Sequence, residues 1–196
     1  MDYPSTAIAE PDIPRAAQPI FQHLLDTYAS ETNKTAAVWH ELRDDQLGFR
    51  PHQKSGTVRE ILVHQLLSER RFFAEFIGLT EPPAAALLPP GETPAVAAYI
   101  DRYVALARPR LAALADRDAA FWQAPVPFFD TTRERIWVFW RRVLHTAHHR
   151  AQVGVFLRLL EDRVPPTYGP TADVSWAGAD PTRTIAAAER PGRPPA

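Results

Sequence analysis

Twenty prolines limit what this chain can fold into more than any other feature. A proline inside a helix removes a backbone donor and crowds the preceding turn, at a cost of about 3 kcal/mol. Long helices are therefore expected between the prolines, and four apolar-periodic stretches lie there. None of them alternates with the period of two that a half-buried strand requires, so the expected fold is all-α.

The first stretch, about Gln18 to Leu42, places Phe21, Leu25, Tyr28, Thr32, Thr35, Trp39 and Leu42 on one helical stripe. The second opens at Thr57, whose side chain caps the helix while Glu60 reaches back in a capping box. It runs through Ile61, Leu62, Phe72, Phe73 and Phe76 to Gly78, a C-terminal stop. The third carries Val96, Tyr99, Ile100, Tyr103, Leu111 and Leu114. It is expected to start with Thr93 as cap and Pro94 as first helical residue, where the missing N–H costs nothing. Pro109 falls inside that stripe and predicts a kink or a break.

The fourth stretch begins at a second capping box, Thr131 with Glu134, and persists to about Asp162. Its apolar residues form two opposite faces, Val138, Phe156 and Leu160 on one and Ile136, Trp140, Val143 and Ala147 on the other. Both need cover: a core on one side, and a loop, the tail or a second subunit on the other. The Trp137, Phe139 and Trp140 cluster reads as core or subunit contact.

Residues 163–196 are rich in Pro, Gly and Ala and lack helical periodicity, which predicts an extended tail. Tyr168 and Trp176 give it aromatic residues that can pack on the helices, and Pro191 to Ala196 are expected to be disordered. With 196 residues, about 70% of the unfolded surface can be buried, and a single domain is favoured.

Twenty-two Lys and Arg against 23 Asp and Glu leave a net charge of −1, which argues against a nucleic-acid partner. The absence of cysteine removes disulfides, thiolate nucleophiles and Cys-ligated zinc. No apolar run approaches the roughly 20 residues of a membrane span. Met1-Asp2-Tyr3-Pro4 lacks the regions of a signal peptide. No membrane partner and a cytoplasmic location are expected.

Three of the seven histidines fall within five residues, in His145-Thr146-Ala147-His148-His149. At 100° per residue His149 lies about 40° round from His145 and one turn on, whereas His148 lies about 60° round the other way. The better chelating pair is His145 with His149. Both share a stripe with Val138 and Phe156 and are expected to point into the interior. Two buried imidazoles need partners for their ring nitrogens, and a divalent metal supplies one. A third ligand should come from another helix. His64 is the one other histidine well inside a predicted helix with an apolar face, although it sits at the edge of its stripe, where an ordinary hydrogen-bonded histidine is the alternative. No Glu follows His145, which excludes a zinc-protease motif. His23, His40 and His52 are given no role.

An early helix-two histidine, His64, with a late His145-x-x-x-His149-Arg150-x-Gln152 segment resembles the DinB/YfiT-like superfamily of metal-dependent enzymes. Val164-Pro165-Pro166-x-Tyr168-Gly169 is compatible with the tail of such proteins, and Ala151 stands where the family usually shows Gly. The resemblance spans roughly residues 15–176. It implies a four-helix bundle domain over residues 1–176, a flexible Pro/Ala-rich tail over 177–196, a homodimer, and one metal ion held by His64, His145 and His149.

Other polar residues surround these positions. Gln65 and Glu69 project near the centre of the second helix's apolar face, and Gln152 lies on the His145 stripe. They either orient the imidazoles or a metal-bound water, or make ordinary interhelical hydrogen bonds. Arg141 and Arg142, one turn before the histidines, either clamp a substrate anion or form surface ion pairs.

Three histidines leave coordination positions open, the mark of a catalytic site. Zinc or nickel suits such a donor set, with iron and manganese as further candidates. The ion keeps its positive charge and lowers the pKa of a bound water or thiol. One expected activity is transfer of a low-molecular-weight thiol, supplied from outside, to an electrophilic small-molecule substrate. Relatives of this type include thiol-dependent S-transferases, which favours that reading. The alternatives are a metal-dependent hydrolase using metal-bound hydroxide, and a non-enzymatic dimeric stress-response or binding module. A sealed site would favour the last.

Overall fold

The computed structural model describes residues 6–169 and 171–173. Helix α1 spans Gln22–His40 and α2 Val58–Phe72, with α2 continuing into a π-type turn, Phe73–Ile77. A short α3, Ala84–Leu87, leads to α4, Val96–Ala115, and α5, Ala119–Gln123. Strands β1, Pro125–Phe128, and β2, Thr131–Glu134, precede the longest helix, α6, Arg135–Leu159. Helix α1 packs on α4 and α6, and α2 packs on the same two. No helix among the described residues is long and apolar enough to cross a membrane.

The predicted start of α2 is met: Thr57 Oγ1 accepts the Glu60 N–H at 3.1 Å, and Glu60 Oε2 accepts the Thr57 N–H at 2.6 Å. Gly78, at φ 80°, stops the π-type turn in the left-handed conformation that glycine adopts without strain. The Thr93–Pro94 start of the third helix is not observed. Helix α4 begins two residues later, and the carboxylate of Asp44, in a short 3₁₀ turn, Asp44–Gln46, between α1 and α2, accepts the Val96 N–H at 2.7 Å. Pro109 does not break α4. Both Pro109 and Ala105, whose carbonyl loses its partner, lie on the solvent side, where water can satisfy that carbonyl.

The all-α expectation is corrected between residues 125 and 134. Thr131 and Glu134 do not form a capping box; they end a two-stranded antiparallel ribbon in which Phe128 pairs with Thr131 and Pro125 with Glu134. Val126 and Phe128 point inward and Pro125 and Pro127 outward, an alternation too short to register in a scan for strands. The start of α6 is instead tied down by Arg135, whose N–H reaches Ala124 O at 3.0 Å.

The two faces expected on α6 are the edges of one wide buried arc. Its middle is Arg142, Thr146 and Arg150, all buried, flanked by Phe139, Val143, Val153 and Leu157. The face that remains open instead carries Trp137, Leu144, Val155 and Leu159.

The interior is divided. One apolar cluster gathers Leu25, Tyr28, Phe73, Leu111, Trp122 and Phe139; the other gathers Trp39, Leu62, Leu66, Tyr103, Val153 and Leu157. Along α1, α2 and α6 the residues between the two clusters are polar, and Arg110 adds a charge from α4. Glu69 is the hub: Tyr28 Oη donates to it at 2.8 Å, Tyr103 Oη at 2.9 Å, Arg110 at 2.9 Å and Thr146 Oγ1 at 3.2 Å. Arg110 also forks onto Glu81 at 2.6 and 2.7 Å. Burial, against the opposing pull of Arg110, raises the Tyr28 hydroxyl well above its usual range, so it stays a donor.

The start of the predicted tail packs on the helices, with Pro165 and Pro166 buried. Tyr168 Oη donates to Glu31 at 2.7 Å and accepts from Arg150 at 2.6 Å. Trp176 and Pro191 to Ala196, on which the sequence placed a packing aromatic and a disordered end, lie outside the described residues.

Candidate metal centre

Helices α2 and α6 bring His64, His145 and His149 together. One nitrogen from each ring can be chosen so that all lie within 4.8 Å of one another. His145 Nε2 and His149 Nε2 are 3.3 Å apart, and the His64 ring centroid lies 4.6 Å from that of His149 and 5.3 Å from that of His145. The i, i+4 spacing on α6 aligns two of the rings. The third is held in register beside them, because Gln65 Nε2 donates to the Thr146 carbonyl at 3.3 Å and Arg142 donates to Gln65 Oε1 at 3.0 Å. The rings do not face the deep interior as expected. His145 and His149 are half-buried on the flank of the α6 arc, and His64 is exposed.

Neighbouring groups fix the protons. Arg142 has only donors, so His145 Nδ1 must accept its Nη1–H at 3.1 Å, and the neutral ring carries its own proton on Nε2. That proton faces His149 Nε2, while His149 Nδ1–H donates to Gln152 Oε1 at 2.7 Å. Burial, then the Arg142 guanidinium, pushes His145 down to about 3. Burial and Arg142 also lower His64. Burial lowers His149 despite the opposing Gln152 hydrogen bond. At neutral pH the cluster is three uncharged imidazoles, the donor set that a borderline divalent ion takes. For His145 to offer its Nε2 lone pair to an ion as a neutral ring, its proton would move to Nδ1 and the Arg142 hydrogen bond to that nitrogen would be released. Among the described residues no other histidine or carboxylate joins the group.

An open pocket of about 830 Å³ adjoins the cluster, lined in part by His64, His145, Ser68, Phe72, Phe128 and Arg141. The remaining candidates separate by position. Gln152 touches a ring directly. Gln65 and Glu69 reach the site through Arg142, with Glu69 Oε2 3.4 Å from its Nη2. The guanidinium of Arg142 is buried among Ser68, Gln65, Glu69, Thr146 and His145, so it orients His145 and is not presented to a pocket ligand. Arg141 is exposed at the pocket wall. His23 lies apart, stacked on Trp140 with centroids 5.9 Å apart.

Sequence reading missed the support from Tyr28, Tyr103 and Arg110, and the hairpin wall made by Phe128 and Phe129. Two tyrosines on apolar stripes opposite a mid-helix Glu were the available signal for the first. A ribbon of two four-residue strands, the first of which itself carries two prolines, offered none for the second.

A family model described as the DinB family matches residues 15–181. Among solved structures the chain is similar to a DinB-like protein from Bacillus cereus, at 20% identity and a TM-score of 0.61, covering 74% of this chain and 95% of that one. It is also similar to YjoA, a DinB-like protein from Bacillus subtilis, at 16% identity and a TM-score of 0.59, covering 74% and 97%. At these identities the likeness concerns the fold. No match is found among curated proteins.

Proposed function

The chain belongs to the DinB family, and from that premise we propose that His64, His145 and His149 hold one divalent metal ion, zinc or nickel, at an open centre that activates a small-molecule thiol for transfer to an electrophilic substrate. The observation that carries this reading is the convergence of three neutral imidazoles, within 4.8 Å, at the edge of a pocket large enough for a substrate. The bound ion would supply positive charge that favours the deprotonated, nucleophilic form of a thiol or water. With no cysteine in the chain, the sulfur comes from outside.

The chain's own residues have separate tasks. Gln152 aims the His149 lone pair, and the Glu69 network holds Arg142 beside His145 in the metal-free protein, a contact that ligation through His145 Nε2 would release. The phenylalanines of the pocket wall exclude water from the electrophile, which slows hydrolysis relative to transfer. Ring-like contact of α1, α4, α2 and α6 is read as a four-helix bundle. The exposed stripe of Leu144, Val155 and Leu159 on α6 is read as the contact of a homodimer.

Elemental analysis of untagged protein tests the centre, with about one ion per chain expected. A screen of glutathione, mycothiol and bacillithiol with an electrophilic aryl halide tests the reaction. Metal-dependent consumption of a thiol is expected; turnover with no thiol present would replace transfer by hydrolysis.

A further inference from the structure

The walls of the pocket differ in chemistry. Phe72, Phe76 and Phe128 form one side, with ring centroids 5.8 Å apart for Phe72–Phe128 and 5.0 Å for Phe76–Phe128. Phe129 extends this side past the protein surface: it is 69% exposed, at φ 53°, on the first of the two residues that turn the β1–β2 hairpin. A left-handed backbone there suits glycine or asparagine, and phenylalanine strains it while showing a large apolar surface to water. Folding does not select such a residue. Holding a ring over the pocket, 5.4 Å from Phe76, does.

Charge enters from another element. Arg141 precedes His145 by one turn on the same face of α6 and lines the pocket. The other pocket arginines are engaged, Arg71 with Glu75 at 2.7 Å and Arg59 with the Pro94 carbonyl at 3.3 Å. Arg141 has no hydrogen-bond or ion-pair partner among the described residues.

We propose that the substrate of this pocket is an aryl-bearing monocarboxylate, its ring packed on Phe76, Phe128 and Phe129, its carboxylate forked by Arg141, and its reacting end toward His145. That this guest is a substrate rests on the metal-centre reading; the binding itself needs no metal. Arginine recognises a carboxylate through two parallel N–H donors, and an apolar wall adds affinity in proportion to the ring area it covers.

Isothermal titration calorimetry of the full chain tests the proposal, with and without zinc, using 4-phenylbutyrate, its uncharged amide and acetate as probes. Phenylbutyrate should bind at least about tenfold tighter than either of the others. Arg141→Gln should reduce its affinity about tenfold and leave the amide unchanged. Phe129→Gly, which relieves the backbone strain, should weaken both aromatic probes. Equal binding of acid and amide, indifference to Arg141→Gln, or no heat from phenylbutyrate at millimolar concentration would overturn it. Arg141-dependent binding in a protein that takes up no zinc would uphold the ligand class and remove the metal centre; zinc uptake without it would do the reverse.

Discussion

His149 is the residue on which the centre depends most visibly, since Gln152 fixes its Nδ1–H and leaves its Nε2 lone pair toward the other rings. His149→Ala is expected to lose nearly all bound metal while its far-ultraviolet dichroism matches the parent; equal metal content in the two proteins would remove His149 from the ligand set. Gln152→Leu should bind metal about 10- to 100-fold more weakly, as losses of orienting partners do, measured by competition with a chromophoric chelator. The depressed histidines also set a pH dependence for the metal-free protein. An unfolded His145 takes up its proton near 6.5, whereas the folded one does so only near 3. Between those values the unfolded state binds more protons, so this contribution to stability is complete above about pH 6.5 and is lost as pH falls toward 3. Urea midpoints in a chelator should therefore rise from pH 4.5 to 7.5 more steeply for the parent than for His145→Asn. The ligand residues were legible in the sequence because i, i+4 spacing is local. The opposite fates of Arg141 and Arg142 were not, because adjacent residues on a helix differ by about 100° and only packing decides which one is buried.

Helices announce themselves where their caps are side chains nearby in sequence, as at Thr57 and Glu60. Helix α4 is capped from a distance: Asp44 lies 52 positions before Val96, so no local pattern could reveal it. Asp44→Ala should cost about 1 kcal/mol by chemical denaturation, the usual worth of an N-cap. Helix α6 misleads for a different reason. A scan for apolar residues sees Val138 and Phe156 on one side and Val143 on the other, and discounts the Arg142–Thr146–Arg150 row between them. That row is buried because Glu69 and Glu31 on facing helices supply its partners. The Thr131–Glu134 pattern fails because a strand-pairing partner sits only a hairpin away, and cross-strand hydrogen bonds there outcompete a helical first turn.

Across the molecule a buried charged layer joins the two apolar clusters. Glu69→Ala would leave Arg110 with Glu81 and the Tyr28 hydroxyl, and Arg142 without a carboxylate, inside a region almost closed to water. Breaking a buried pair on one side costs about 3–5 kcal/mol. Denaturation should show a loss of that order. Leu144→Glu combined with Val155→Glu should convert the expected dimer to a monomer in sedimentation equilibrium. At the waist of the molecule Glu69 pairs with Arg110 and Arg142, and Glu31 with Arg150, each across two rods and at one height only. A helix that slipped lengthwise by one turn would keep its greasy contacts above and below yet strand several ions, so the middle layer acts as a lock on axial alignment, and the three rings at its border inherit their spacing from that lock.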